Sequence, residues 1–318
     1  MPYEPKVALV ATARDEGPYI LEWVAHHRLC GFDPIIMYQN DSRDGTVQIL
    51  TELDRLGIIQ YFDNPADNNR QATAYKRAGQ LQALREADYF MSLDLDELFC
   101  VFQPPFTVQS LIARMPDFDT LIVNWRVFGS ANLVNFEPEM MATRFTLTHP
   151  EDEIKTNLKG YKTINATASW QRPGAHSPRE PLKPEDDMIV VNASGLTYPA
   201  FERKSYRATD PLAYANAQVN HYATRDLWSF IRKSLRGGGN NPNRQLPSGY
   251  WRRNNRNDVA DMRMSDRRDA IQAEIAELDA QSGGVLAKMH KATSLMTERE
   301  LQRLQDNPKA QALFNEIS

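Results

Sequence analysis

Short apolar runs alternate with amphipathic stretches along the first hundred residues. Lys6 to Ala13 is rich in Val, Leu and Ala and reads as a buried strand, which Arg14-Asp15-Glu16-Gly17-Pro18 breaks. Ile20, Trp23, Val24 and His27 then recur at helical spacing, with Gly31 as the stop. Pro34 to Tyr38 predicts a second strand, Val47, Leu50 and Leu53 a second helix ended by Gly57, and Ile58 to Phe62 a third strand. Asn69 to Ala87 predicts one long polar-faced helix, and Asp88 to Leu93 a fourth strand running into Asp94-Leu95-Asp96-Glu97. Four strands alternating with three helices predict right-handed βαβ units around a parallel sheet. Ligands of such sheets sit beyond the carboxyl ends of the strands. Arg14 to Glu16, Asn40 to Asp44 and Asp94 to Glu97 all fall at such ends, so the pattern predicts one pocket built from three distant loops.

The rest of the chain is less periodic. Thr120 to Phe128 is a β-rich run, residues 131–218 read as irregular α+β, and Asp226 to Arg236 is helical. Gly237 to Asn243 reads as a flexible loop, and Ala270 to Ile317 as a helical tail with a break at Gly283-Gly284. Arg232 to Arg268 holds ten Lys or Arg against three Asp, which is either a solvated face or a basic lid over phosphate groups.

Composition narrows the class. With 318 residues, 42% hydrophobic, 25% charged and a net charge of −4, the chain is neither disordered nor fibrous. The mildly acidic balance argues against a nucleic-acid binder. Cys30 and Cys100 are the only cysteines, so neither a disulfide framework nor a four-cysteine zinc site can form; they read as buried thiols in a reducing compartment. No apolar run approaches the ~20 residues of a membrane helix, and the start lacks signal-peptide features. The expectation is a cytoplasmic protein without a transmembrane segment, for which peripheral membrane contact and oligomeric state stay open.

Asp94 and Asp96 carry the sharpest chemistry. Residues i and i+2 at a strand-to-loop transition can point the same way. Two such carboxylates can share Mn²⁺ or Mg²⁺, which take oxygen ligands and often complete their shell with substrate phosphates. The competing reading is an acidic helix start.

Ala13 to Trp23 with His26-His27-Arg28, Asn40-Asp41-Ser42-Arg43-Asp44-Gly45-Thr46, Gln71 to Tyr75, Ser92 to Phe99, Asn124 to Ser130, and Asn220-His221-Tyr222 with Phe230, Lys233 and Gly237 follow one another in order. Together they resemble the family-2-like glycosyltransferases, in the branch related to family 92. The resemblance implies a GT-A fold: a Rossmann-like α/β/α sandwich with a mostly parallel central sheet, here followed by a helical C-terminal extension. It implies residues 1–240 as the catalytic domain (1–100 the nucleotide-sugar half, 101–240 the acceptor half) and residues 241–318 as a basic loop and helical extension.

The family implies a nucleotide-diphosphate sugar donor, a UDP-sugar by preference, a glycan, glycolipid or other hydroxyl acceptor as in polysaccharide biosynthesis, Mn²⁺ or Mg²⁺, and inversion. It makes His221 a metal ligand beside Asp94 and Asp96, and Arg14, Glu16, Asn40 and Asp41 contacts of the nucleotide. Lys233 and Arg236, on the helix after His221, are placed to reach the diphosphate. His176 matches a family position lining the acceptor site and is a candidate catalytic base, with Asp152 and Glu180 as alternatives. Asp15 and Gln39 depart from the family pattern, which leaves GDP and dTDP open. Core packing is the expected role of Trp23 and His27, helix capping that of Asp44, and Trp125 is either a half-buried strand residue or a sugar platform. The alternatives are a nucleotidyltransferase, against which the absence of a Gly-rich loop after the first strand counts, and a non-catalytic sugar or nucleotide binder.

Overall fold

The computed structural model describes residues 3–65, 69–153, 160–197, 213–237 and 245–317. Its N-terminal half alternates as expected: β1 (Val7–Ala13), α1 (Gly17–Leu29), β2 (Ile35–Gln39), α2 (Thr46–Arg55), β3 (Gln60–Asp63), α3 (Arg70–Ala78), α4 (Gln82–Arg85) and β4 (Tyr89–Ser92). The single helix expected over 69–87 is two. A Cβ on Gly79 would lie 2.5 Å from Arg172 Cβ, so the chain passing over this point forces a close approach and breaks the helix.

After β4 come β5 (Glu97–Val101), α5 (Val108–Ile112), β6 (Thr120–Val127), α6 (Met141–Arg144), β7 (Leu147–Thr148), β8 (Tyr161–Ala166), β9 (Trp170–Arg172), β10 (Arg179–Pro181), β11 (Val190–Asn192) and β12 (Ala217–His221). β5 was not expected, because the polar run Asp94 to Glu97 conceals its start; Cys100 lies inside it. The main sheet has the order β3-β2-β1-β4-β8-β6-β12-β5, with β11 also on β6. The strands of the irregular middle thus extend the first sheet. Its β1, β2, β3 and β4 are parallel, β8 is antiparallel to both neighbours, and β5 is antiparallel to β12.

Period-2 alternation sorts the buried strands into two layers. Leu9, Ala11, Ile35, Met37 and Met91 join one core with Ile20, Trp23 and Val24 of α1. Val10, Ile36, Tyr38 and Phe90 join the other with Ala74, Tyr75 and Ala78 of α3. Helices on both faces of a mostly parallel sheet make the expected α/β/α sandwich.

α7 (Leu227–Arg236), α8 (Ser248–Asn254), β13 (Val259–Ala260), α9 (Arg268–Gln281), α10 (Val285–Gln305) and α11 (Pro308–Ile317) complete the chain. Residues 238–243 of the expected flexible loop lie outside the described residues. The tail helices pack on the sandwich: Ile271, Leu278 and Leu286 belong to the same core as α1. α1 is therefore covered on all sides, and everything from Gly17 to His27 is buried. Among the described residues Tyr19 Oη is buried without a hydrogen-bond partner, but Glu22, His26 and His27 find theirs internally. Glu22 accepts from Met141 N and Ala142 N at 2.7 and 2.8 Å. His26 Nε2 meets Phe99 O at 2.6 Å, and His27 Nδ1 meets Trp23 O at 2.8 Å while Phe99 N donates to its Nε2. These histidines clamp α1 to β5 as core residues. Cys30 and Cys100 are buried and unpaired, and burial pushes both thiols up, to about 12 and about 11. Among the described residues, no helix is long and apolar enough to cross a membrane.

Candidate functional site

The three loops at the strand ends do meet. A cleft of about 280 Å³ is lined by Arg14 and Glu16 from the β1 loop, Asn40 from the β2 loop, and Asp94 and Asp96 from the β4 loop. Gln71, Trp125, His176, His221, Lys233, Arg236 and Tyr250 also stand in its wall. Asp41 stands outside this lining; its half-exposed carboxylate pairs with Arg70 at 2.6 Å.

Local bonding lashes the first two loops together. Asp15 N donates to Ser42 Oγ, Arg43 N to Asp15 Oδ1, and Glu16 N to Thr46 Oγ1. Asp44, buried, accepts from Gly17 N and from Thr46 N and Oγ1 and so ties the starts of α1 and α2 together; it is not the expected cap, since the N-cap of α2 is Gly45. Thr293 of α10 lies against both loops: a Cβ on Gly17 would sit 2.8 Å from its Cβ, and one on Gly45 2.4 Å from its Cγ2. His290 Nε2 also reaches Pro18 O at 2.9 Å. The tail thereby fixes the loops that line the cleft.

Each acidic residue of the β4 loop has a cationic partner from a distant strand or helix. β8 runs antiparallel to β4 with Ile164 opposite Met91, which carries Lys162 past the end of β4. Its fully buried ammonium lies 2.9 Å from Asp94 Oδ2 and 3.0 Å from Glu97 Oε2. Gln71 Nε2 donates to the other Asp94 oxygen at 2.8 Å, and Trp23 Nε1 holds the Asp94 carbonyl at 3.0 Å. Asp96 accepts from Lys233 Nζ at 2.5 Å. The β12–β5 register sets His221 opposite Glu97, so His221 Nε2 comes to 3.9 Å from Asp96 Oδ2. His221 Nδ1 is buried without a hydrogen-bond partner among the described residues. Trp125 on β6, paired with Val219 of β12, packs its ring 4.3 Å from that of His221 and 5.1 Å from that of His176. Gly160 admits that indole, since a Cβ there would be 1.9 Å from it.

Arg225 closes the rear. It pairs with Glu16 at 2.8 Å, donates to Leu95 O, and lies 3.8 Å from the Tyr19 ring centre. Arg236 bonds the Arg14 carbonyl and approaches Asp15 and Glu16 at 3.6 and 3.5 Å. Gln71, Lys162, Arg225 and Tyr250 were not singled out as site residues. The lysine within the strand-like Gly160 to Ile164 run was the available signal for Lys162; nothing in the chain around Tyr250 pointed to the cleft.

The electrostatics follow from burial and neighbours. Burial raises the pKa of Asp96, but Lys233, His221 and Arg225 outweigh it and hold the carboxyl well below its usual range. Burial pushes Glu97 up to about 8 against the pull of Lys162. Burial lowers His221 to about 4 and His176 to about 3, so both rings are neutral at pH 7. His26, His27 and His149 are lowered by burial as well. Histidines held below 6.5 contribute stability that is complete above pH 6.5 and is lost as pH falls toward 3–4. Glu22, raised to about 7 by burial, and Glu97 act oppositely: their contribution is complete below 4.5 and is lost as pH rises through 7 and 8. Five histidines against two glutamates leave the unfolded chain binding more protons between pH 6.5 and 4.5. Stability is expected to fall across that window by about 1.4 kcal/mol per pH unit for each net proton. Chemical denaturation at pH 7, 6 and 5 checks this, and a flat profile would contradict it.

The structure of S. aureus TarS residues 1–349 overlaps the chain at a TM-score of 0.33 with 13% identity, over 51% of this chain and 47% of that one. The same TarS segment in complex with UDP-GlcNAc overlaps at 0.32, again with 13% identity, over 51% and 46%. The chain thus spans about half the length of the TarS chains it matches. No curated protein matches the sequence. The model of glycosyltransferase family 92 matches residues 13–263, a span that holds every cleft residue named above. The chain belongs to glycosyltransferase family 92.

Proposed function

We propose that the protein transfers a sugar from a nucleotide-diphosphate donor, a UDP-sugar, to an acceptor hydroxyl with inversion, using Mn²⁺ or Mg²⁺. The observation that carries this reading is the gathering of Asp96, His221, Lys233, Arg14 and Arg236 around one cleft at the strand ends.

The donor set suits a divalent cation. Asp96 and His221 face each other across 3.9 Å, and a carboxylate with a neutral imidazole favours Mn²⁺ over Mg²⁺. Among the described residues no three His, Cys, Asp or Glu side chains cluster as a ready-made metal site. The protein would therefore supply Asp96 and His221, with phosphate and water completing the shell. Asp94, engaged by Lys162 and Gln71, is one-third exposed and lines the cleft that would take the donor. A cation bound there would neutralise charge on the departing diphosphate.

The chain's own residues do the rest. Arg14, Lys233 and Arg236 present cationic donors to phosphate oxygens. Asn40 and Glu16 line the nucleotide side, with Asp41 at its margin. Trp125 offers the sugar an aromatic face between the two histidines. His176 accepts the acceptor's proton; its neutral ring retains a lone pair, and an entering diphosphate raises its basicity.

Thermal unfolding with UDP, GDP and dTDP, each with and without Mn²⁺, tests the nucleotide and metal together. UDP with Mn²⁺ is expected to stabilise most, by about 2.7 kcal/mol at 100-fold its dissociation constant. No stabilisation by any nucleotide would overturn the donor assignment, and equal stabilisation with EDTA would overturn the cation. His176→Ala is expected to lower kcat roughly 100-fold or more with donor KM preserved. An unchanged kcat would remove it as the base.

A further inference from the structure

A second, larger recess of about 610 Å³ adjoins the donor cleft and shares Arg14 and Arg236 with it. Six arginines line it: Arg14, Arg43, Arg232, Arg236, Arg299 and Arg303. Three carboxylates oppose them, and each is already engaged. Glu300 pairs with Arg232 at 2.7 Å, Asp44 lies 3.7 Å from Arg232, and Asp15 lies 3.8 and 3.6 Å from Arg14 and Arg236. Six cations less three anions leave the wall at +3 while the donor cleft is empty; with Arg14 and Arg236 turned to a donor, Arg43, Arg299 and Arg303 remain for a second anion. Among the described residues, Arg43, Arg299 and Arg303 have no ion-pair partner, and Arg14 Nε and Nη1 and Arg236 Nε are buried without a hydrogen bond.

Arg14, Arg232 and Arg236 are set in the wall with at most a fifth of their side chains exposed, whereas Arg43, Arg299 and Arg303 are exposed. The β1 and β2 loops are laced together and wedged by Thr293, and α10 presents Arg299 and Arg303 one turn apart. Guanidinium groups do not escape crowding by losing a proton, so the field of the recess is relieved by an anion. Burial lowers the pKa of Arg14, and Arg236 and Arg70 add to that shift against the pull of Asp15, which reflects the crowding. Planar forks from two walls match tetrahedral oxyanions.

We propose that this recess is a second anion site, which takes a phosphate-bearing ligand while the donor cleft is filled. Two sources share that chemistry: a free oligophosphate and a phosphorylated carbohydrate. The site is argued from the arginines alone and does not depend on the donor being a UDP-sugar.

Calorimetric titration of the full chain with tripolyphosphate and with glucose 6-phosphate, with and without saturating UDP, tests it. At least one probe is expected to bind with UDP present, and the tighter one identifies the source. Arg299→Gln/Arg303→Gln is expected to weaken that binding at least tenfold while the thermal shift given by UDP stays unchanged. Arg43→Gln, on the opposite wall, provides an independent reading if the double variant folds poorly. Failure of both probes to bind, loss of binding when UDP saturates, or full binding by the arginine variants would overturn the proposal. If UDP itself fails to bind, the arginine dependence still decides this site separately.

Discussion

Asp96→Asn is expected to lower kcat/KM by roughly 1,000-fold, about 4 kcal/mol of transition-state stabilisation, without unfolding the protein. Asp96 holds the Lys233 ammonium at 2.5 Å and faces His221 at 3.9 Å. An amide keeps the shape but loses the charge that orders Lys233 and would bind a divalent cation. The fold should survive because the structural bond at this position is made by the backbone: Tyr222 N donates to Asp96 O at 2.8 Å. Lys233 also keeps its bond to Ala223 O at 3.1 Å. Turnover of a UDP-sugar panel with Mn²⁺, beside circular dichroism, checks both halves. A folded variant with wild-type turnover would refute the role given to this carboxylate.

Lys162→Met is expected to destabilise the protein by about 3–5 kcal/mol. Lys162 is fully buried and bridges Asp94 and Glu97, and it also donates to Ala175 O at 2.8 Å. Removing the ammonium leaves Glu97, itself fully buried, facing Asp94 without a counter-charge. Its pKa, already pushed up to about 8 by burial, would rise further, so the carboxyl would hold its proton over the whole working range. Urea denaturation measures the loss. Adding Glu97→Gln should recover part of it, because an amide is neutral without the cost of binding a proton that the unfolded carboxyl releases at pH 7. A loss under about 1 kcal/mol for Lys162→Met alone would show that the pair does not contribute net stability.

Much of the framework was legible in the chain. β1, β2 and α1 announce themselves because buried parallel strands are continuous apolar runs and the turns between them carry Gly, Pro and Asp. α7 was legible from its apolar face, and Asp226 caps it by accepting from Ser229 N. The division of the 69–87 helix was not legible, because its cause at Gly79 is a chain segment more than 90 residues away. β5 was hidden because its pairing partner, β12, lies more than 110 residues downstream. The basic stretch from Arg232 to Arg268 divides in the fold: Arg232, Lys233 and Arg236 face the clefts, whereas Arg256 and Arg263 pair with Glu153 and Glu151. The remaining arginines of the large recess come from the β1 and β2 loops and from α10, in the tail beyond the motifs.

By itself, the order of strands, helices and polar loops determined that Arg14, Glu16, Asn40, Asp94 and Asp96 would meet at one end of a sheet. That follows from local chemistry, since strand periodicity and right-handed crossovers are properties of short segments. The tertiary structure alone decided what those groups face. Lys162 reaches Asp94 across 68 residues, Lys233 reaches Asp96 across 137, and strand register delivers His221 to the same carboxylate. Electrostatic partnership depends on separations of a few ångströms and on burial, and both are set only when distant segments pack.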